Sequence, residues 1–201
     1  PVPDVEFKTP AIGNLDIDND DEIILINPSL DNKIYAYNYD GSTVMGFPRN
    51  LPWSTNSASI ILSDLNKDGN SEIILRSATY LAVLSNDGTL MPGWPVMFEA
   101  RDFTIPPPAI GNFDNDEDFE IAIAYRIEGS IGTIDVFNID GIRVSGWPIT
   151  TNSFFNSGIA AGDVDLDGKD EIAASFYFGR GVHLYNYDGT IKPGWPNLGN
   201  R

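Results

Sequence analysis

The chain has 201 residues, a formal net charge of −17, 42% hydrophobic and 20% charged residues, and no cysteine. That length and apolar content suit a folded chain with a substantial core, while the acidity argues against the basic patches that nucleic acids and anionic membranes require. The lack of cysteine removes disulfides, zinc thiolates and cysteine nucleophiles, and no apolar run approaches the ~20 residues of a membrane-spanning helix.

The chain opens at Pro1 without a methionine, as expected of a processed or excised piece of a longer protein, whose other domains or blades would then be neighbours. The segment "PAIG" reads as a short strand and leads into the acidic loop "NLDIDNDDE" from Asn14. An apolar strand "IILIN" follows, then "KIYAYNYDG", which ends at Asp40-Gly41, and then Gly46-Phe47-Pro48. The second unit repeats this order with "SIILS", "DLNKDGNSE" from Asp64, "IILRS", the turn Asp87-Gly88 and Gly93-Trp94-Pro95. The third gives "PAIG", "NFDNDEDFE" from Asn112, "IAIAY", Asp140-Gly141 and Gly146-Trp147-Pro148. The fourth gives "IAAG", "DVDLDGKDE" from Asp163, "IAASF", Asp188-Gly189 and Gly194-Trp195-Pro196.

The loop starts lie 50, 48 and 51 residues apart, a period that belongs to one supersecondary unit per repeat, as in propeller blades. Short strands of alternating pattern, with no helical period, make the chain all-β: a β-propeller of four blades at approximately 10–57, 58–106, 107–157 and 158–201, treated as a single domain. Each Asp-Gly reads as a two-residue type I′ hairpin turn. Five residues after each turn glycine comes the Gly-aromatic-Pro step, whose ring reads as packing between neighbouring blades, with the proline ending an edge strand. After Gly194 only seven residues remain, whereas the next acidic loop begins 17 to 19 positions after the equivalent glycine elsewhere. Residues 1–9 are therefore candidates to complete the last blade. A closed four-bladed ring, four blades of a larger ring, and a dimer of half-rings all remain open.

The charge is concentrated: 18 of the 29 acids fall in the four loops. Oxygen-bearing side chains at alternating positions, with a glycine at the sharp turn, suit a hard cation such as calcium, which takes six to eight oxygens. The competing reading of one such loop is a solvated acidic turn; four aligned copies favour the metal.

These residues resemble the FG-GAP and VCBS repeats of integrin α-subunit propellers and of many secreted bacterial proteins. The carriers are "PAIGNLD", "SIILSDLN", "PAIGNFD" and "IAAGDVD", the nine-residue loops, and "DGTLMPGWP", "DGIRVSGWP" and "DGTIKPGWP". The resemblance implies calcium held by side chains at loop positions one, three, five and nine and a carbonyl at seven. That gives Asn14, Asp16, Asp18, Asp20 and Glu22 in the first loop, and Asp64, Asn66, Asp68, Asn70 and Glu72 in the second. It gives Asn112, Asp114, Asp116, Asp118 and Glu120 in the third, and Asp163, Asp165, Asp167, Lys169 and Glu171 in the fourth. The expected load is three to four Ca2+ per chain. The fourth loop is the cleanest match. The third is the weakest, because Glu117 stands at the turn position where glycine, or Asn19 in the first loop, accepts positive φ more easily.

No nucleophile elbow, phosphate-binding glycine loop or paired metalloprotease histidines are present, and the lone histidine, His183, reads as a surface strand residue at a position filled elsewhere by Tyr35, Ala82 and Asp135. The expected function is thus a noncatalytic, secreted calcium-binding module recognising an extracellular protein or glycan. The alternative is an accessory propeller of a larger secreted enzyme such as a polysaccharide lyase or protease. Candidate contacts, each with core filling as its competing role, are Trp53, Tyr80, Phe154, Phe155, Tyr177, Phe178 and Arg180.

Overall fold

A computed structural model describes residues 9–16, 18, 20–27, 32–55, 58–98, 100, 105–127, 131–151, 153, 155–176 and 181–197. Fifteen strands and no helix occur among them, in four antiparallel sheets that follow the sequence repeat. The first sheet runs β1 (Ala11–Gly13), β2 (Glu22–Asn27), β3 (Lys33–Tyr37) and β4 (Arg49–Asn50). The second runs β5 (Ser59–Ser63), β6 (Glu72–Arg76), β7 (Tyr80–Leu84) and β8 (Val96–Met97). The third is β9 (Ala109–Gly111), β10 (Glu120–Arg126), β11 (Gly132–Phe137) and β12 (Ile149–Thr151). The fourth is β13 (Phe155–Gly162), β14 (Glu171–Phe176) and β15 (Val182–Tyr185), with Asn197 bridged to Val182 where the other sheets have their fourth strand. Of residues 1–9, expected to help complete this blade, 1–8 lie outside the described residues.

The chain divides into two compact units, residues 1–97 and 98–201, each holding two sheets. Alternate strand residues share a face, so a period of two in the sequence becomes one apolar layer per sheet. In the first unit Ile24, Ile26, Ile34 and Ala36 of one sheet form a buried core with Ile60, Ile73, Leu75, Ala82 and Leu84 of the next. In the second unit Ala122, Ala124, Ile134 and Val136 meet Ile172, Ala174 and Phe176 in the same way.

The Asp-Gly turns differ in type from the sequence expectation. In all four, the glycine alone has positive φ, from +79° to +84°, and its N–H donates to the carbonyl three residues back. The outer pair closes one residue later, as in Asn38 N–H to the Ser42 carbonyl at 2.9 Å. This is a three-residue hairpin with a G1 bulge, whereas a type I′ turn would need positive φ at two central residues. The aspartate side chain holds the turn from within, since Asp40, Asp87, Asp140 and Asp188 each accept the N–H two residues on, at 2.8 to 3.0 Å.

The Gly-aromatic-Pro step closes each repeat through a cis peptide bond. Phe47, Trp94 and Trp147 are buried. Phe47 lies against the turn of the following sheet, where a Cβ on Gly88 would come within 3.1 Å of its ring. Trp147 does the same in the second unit, donating its indole N–H to the Tyr187 carbonyl at 2.9 Å.

Candidate metal centres

Each acidic loop joins the first two strands of its sheet, and register fixes its ends. Gly13 pairs with Glu22, Ser63 with Glu72, Gly111 with Glu120 and Gly162 with Glu171. The glutamate at position nine therefore opens a buried central strand, and its carboxylate is buried in every repeat, with 0 to 4% exposure. Burying a carboxylate is costly unless its oxygens are bonded. One oxygen is always satisfied: Oε2 accepts the N–H of loop position two, from Leu15 at 2.7 Å, Leu65 at 2.8 Å, Phe113 at 2.6 Å and Val164 at 3.0 Å.

The other oxygen is what separates the loops. Glu22 Oε1 is buried with no protein partner. Burial pushes the pKa of Glu22, Glu72 and Glu120 upward, aided by neighbouring loop aspartates, and Glu120 reaches about 7. Among the described residues three groups of carboxylates converge, with one ligand atom from each within 4.8 Å of the others: Asp16, Asp18 and Glu22; Asp114, Asp116 and Glu120; Asp163, Asp165 and Glu171. The second loop has Asn66 at position three, and both oxygens of Asp64 accept loop N–H groups from Asp68 and Gly69 at 2.9 Å. Position seven is held alike in all four: the N–H of Asp20, Asn70, Asp118 and Lys169 donates to the position-five carboxylate at 2.9 to 3.0 Å. Successive loops are tied within each unit, by Ser71 N–H to the Asn14 carbonyl and Asp170 N–H to the Asn112 carbonyl, both at 2.8 Å.

The donor set fits calcium. It consists of oxygen only, mixes carboxylates with Asn14, Asn66 and Asn112 side chains, and includes in Glu22 Oε1 a buried oxygen that a cation would satisfy. The ranking of the loops changes, however. Glu117 has no positive φ, so the third loop avoids the backbone strain that made it look weakest, and its carboxylates converge. The second and fourth loops do use positive φ, at Lys67, Gly69, Leu166 and Gly168. The fourth, the cleanest by sequence, already contains a cationic side chain: Lys192 Nζ lies 2.6 Å from Asp165 Oδ2, 2.9 Å from Glu171 Oε1 and 3.3 Å from Asn186 Oδ1. These carboxylates push its pKa up to about 12. Sequence reading missed Lys192 because it sits 21 residues after Glu171, outside the loop motif.

Several candidate contacts resolve as packing. Tyr80 is buried and its hydroxyl donates to the Ser54 carbonyl at 3.1 Å, with the Trp53 ring centroid 5.3 Å away. Phe155 packs on Phe176 at 5.0 Å. Phe154, Tyr177, Phe178 and Arg180 lie outside the described residues. His183 is half-buried rather than superficial, with its ring 4.4 Å from that of Phe176. At the equivalent position of the third sheet Asp135 is fully buried, bonded to Arg143 Nε at 2.9 Å and approached by the Tyr125 hydroxyl at 3.3 Å. Among the described residues the exposed aromatics are Tyr39 and Tyr187, each one residue before a turn aspartate. A cavity of about 270 Å³ in the second unit is lined by third-loop residues Phe113, Asp114 and Asn115 together with Asn138, Arg143 and Tyr187.

No family model and no curated protein sequence matches the chain. Among solved structures it is similar to BBS1N, crystallised in complex with ARL6DN, with a TM-score of 0.60 at 12% identity over 92% of this chain and 54% of that one. It is also similar to a protein of unknown function from Bacteroides caccae (TM-score 0.48, 11% identity, 94% and 60% of the two chains). A third is the V. cholerae biofilm matrix protein Bap1 (0.43, 16%, 93% and 39%). The chain spans less than two thirds of the length of each. The likeness to BBS1N concerns the fold alone: an all-β array of antiparallel sheets that fits a β-propeller.

Proposed function

We propose that this chain is a noncatalytic, calcium-stabilised β-propeller module of the FG-GAP/VCBS type, secreted or displayed at a cell surface, that recognises an extracellular protein or glycan. Calcium is structural in this reading, held in the loops between the first two strands of the blades at three to four ions per chain. The observation that carries it is the buried, unpartnered Glu22 Oε1 beside Asp16 and Asp18, on a glutamate whose other oxygen is clamped in the same way in all four repeats. A carboxylate oxygen without water or a donor costs several kcal/mol in order of magnitude, and a bound cation removes that cost. Binding only to the folded state then stabilises it. Recognition is assigned to exposed turn residues such as Tyr39 and Tyr187, since large rigid side chains at loop tips supply contact area.

The test is calorimetric titration of calcium into chelator-stripped protein, with parallel melting curves. Stoichiometric binding with a rise in melting temperature supports the reading; an unchanged melting curve and no heat of binding would leave the loops as acidic turns.

A further inference from the structure

We propose that Lys192 is a built-in cation that occupies the fourth acidic loop in place of a metal ion, so that the last blade requires no calcium. This inference rests on the calcium reading of the other loops. The ammonium has three N–H donors, and three oxygens from three segments surround it: Asp165 Oδ2 at 2.6 Å, Glu171 Oε1 at 2.9 Å and Asn186 Oδ1 at 3.3 Å. Loop, buried strand and turn are thereby joined by one side chain, as a bound metal ion would join them.

In the first and third blades, equivalent oxygens lack such a donor, although Lys169 Nζ lies 3.4 Å from Asn112 Oδ1 at the other side of the third loop. In the first blade Glu22 Oε1, the counterpart of Glu171 Oε1, and Asn38 Oδ1, the counterpart of Asn186 Oδ1, are both buried without a partner. In the third blade Asn138 Oδ1 is likewise buried and unpartnered, and Asn138 and Asp114 line the same cavity. The difference traces to one position. Lys192 stands two residues before Gly194, where the other repeats have Val44, Met91 and Val144.

The backbone there is the same in each: the N–H of Val44, Met91, Val144 and Lys192 donates to the third strand at Ala36, Val83, Val136 and Leu184, at 2.8 to 3.0 Å. Only the side chain changes, from an apolar group to one that carries a charge into the carboxylates. Asp163 is engaged by its own loop, as Asp64 is in the second. Both oxygens of Asp163 accept N–H groups, from Asp167 at 3.2 Å and Gly168 at 3.0 Å. A tethered ammonium is present at fixed stoichiometry whatever the free calcium concentration, so this blade keeps its loop closed when the others have lost their ions.

The experiment compares the chelator-stripped 201-residue chain with Lys192→Met, which installs the second blade's own residue, by calcium titration calorimetry and by melting. The expected result is one more calcium ion per chain in K192M than in the parent. Metal-free K192M should also melt lower than the metal-free parent by about 3 °C or more, with calcium closing the gap. Four ions in the parent protein would overturn the proposal while leaving the calcium reading intact, and so would an unchanged ion count in a folded K192M. If K192M does not fold, the parent's count decides by itself, one to three ions supporting the proposal and four overturning it. No ion in either protein overturns both readings.

Discussion

At the scale of single residues, the fold is built around groups whose charge state depends on what surrounds them. Glu120 in the metal-free protein has its pKa raised to about 7 by burial and by Asp114 and Asp116, against an ordinary value of 4.5. The folded state therefore holds this proton more tightly than the unfolded chain does. Its contribution to stability is present below about pH 4.5 and is lost as pH rises to about 7. The acids with lowered pKa values, Asp87 and Asp188 among them, act only below the ordinary carboxylate range and do not offset this. Chelated protein is thus expected to melt higher near pH 5 than near pH 8, and calcium-loaded protein to show the opposite slope, because the metal takes the deprotonated form. Melting curves at both pH values with and without calcium check this; parallel slopes would count against it. Asp135 offers a second case, since removing the Arg143 guanidinium leaves a buried carboxylate without its strongest donor. Arg143→Ala is expected to cost about 2 to 3 kcal/mol in urea unfolding, and adding Asp135→Ala to recover much of it, since Ala82 fills that place in the second sheet.

Among elements, the contact between a Gly-aromatic-Pro step and the next sheet's Asp-Gly turn is what joins two sheets at their outer strands. Gly146 has a φ of +96°, and a Cβ there would run into the Asp188 carbonyl; Gly41 has a φ of +84° with open space around it. Gly146→Ala is therefore expected to destabilise by at least about 2 kcal/mol and Gly41→Ala by only about 1 kcal/mol, comparable losses implying that the close approach is unimportant. Trp147→Phe should cost about 1 kcal/mol for the bond to Tyr187, since Phe47 already fills that role in the first sheet, while Trp147→Ala should cost about 3 kcal/mol or more. Both pairs can be measured by denaturant unfolding.

For the whole molecule, the dominant fact is a charge of −17 gathered largely in four loops. Without cations those loops repel internally, and mobile ions screen them. The melting temperature of chelated protein should rise between about 20 mM and about 500 mM sodium chloride, whereas that of calcium-loaded protein should change little. Equal salt responses would mean that the ions do not neutralise the loops. Much of the architecture was legible in the sequence. A 48- to 51-residue period, alternating strands and four acidic loops are local patterns, and local patterns fix strand order, loop placement and the glutamate that begins each second strand. What needed tertiary structure depends on atoms distant in the chain. The hairpin type follows from which residue takes the positive φ, and the burial of Tyr80 from the neighbouring Trp53. The difference between the third and fourth loops follows from the actual φ of Glu117 and from an ammonium 21 residues beyond the motif. Sequence by itself determined where oxygen ligands are concentrated, because ligand spacing is local; only the folded chain decided which oxygens are already satisfied, because desolvation and partner donors come from other strands.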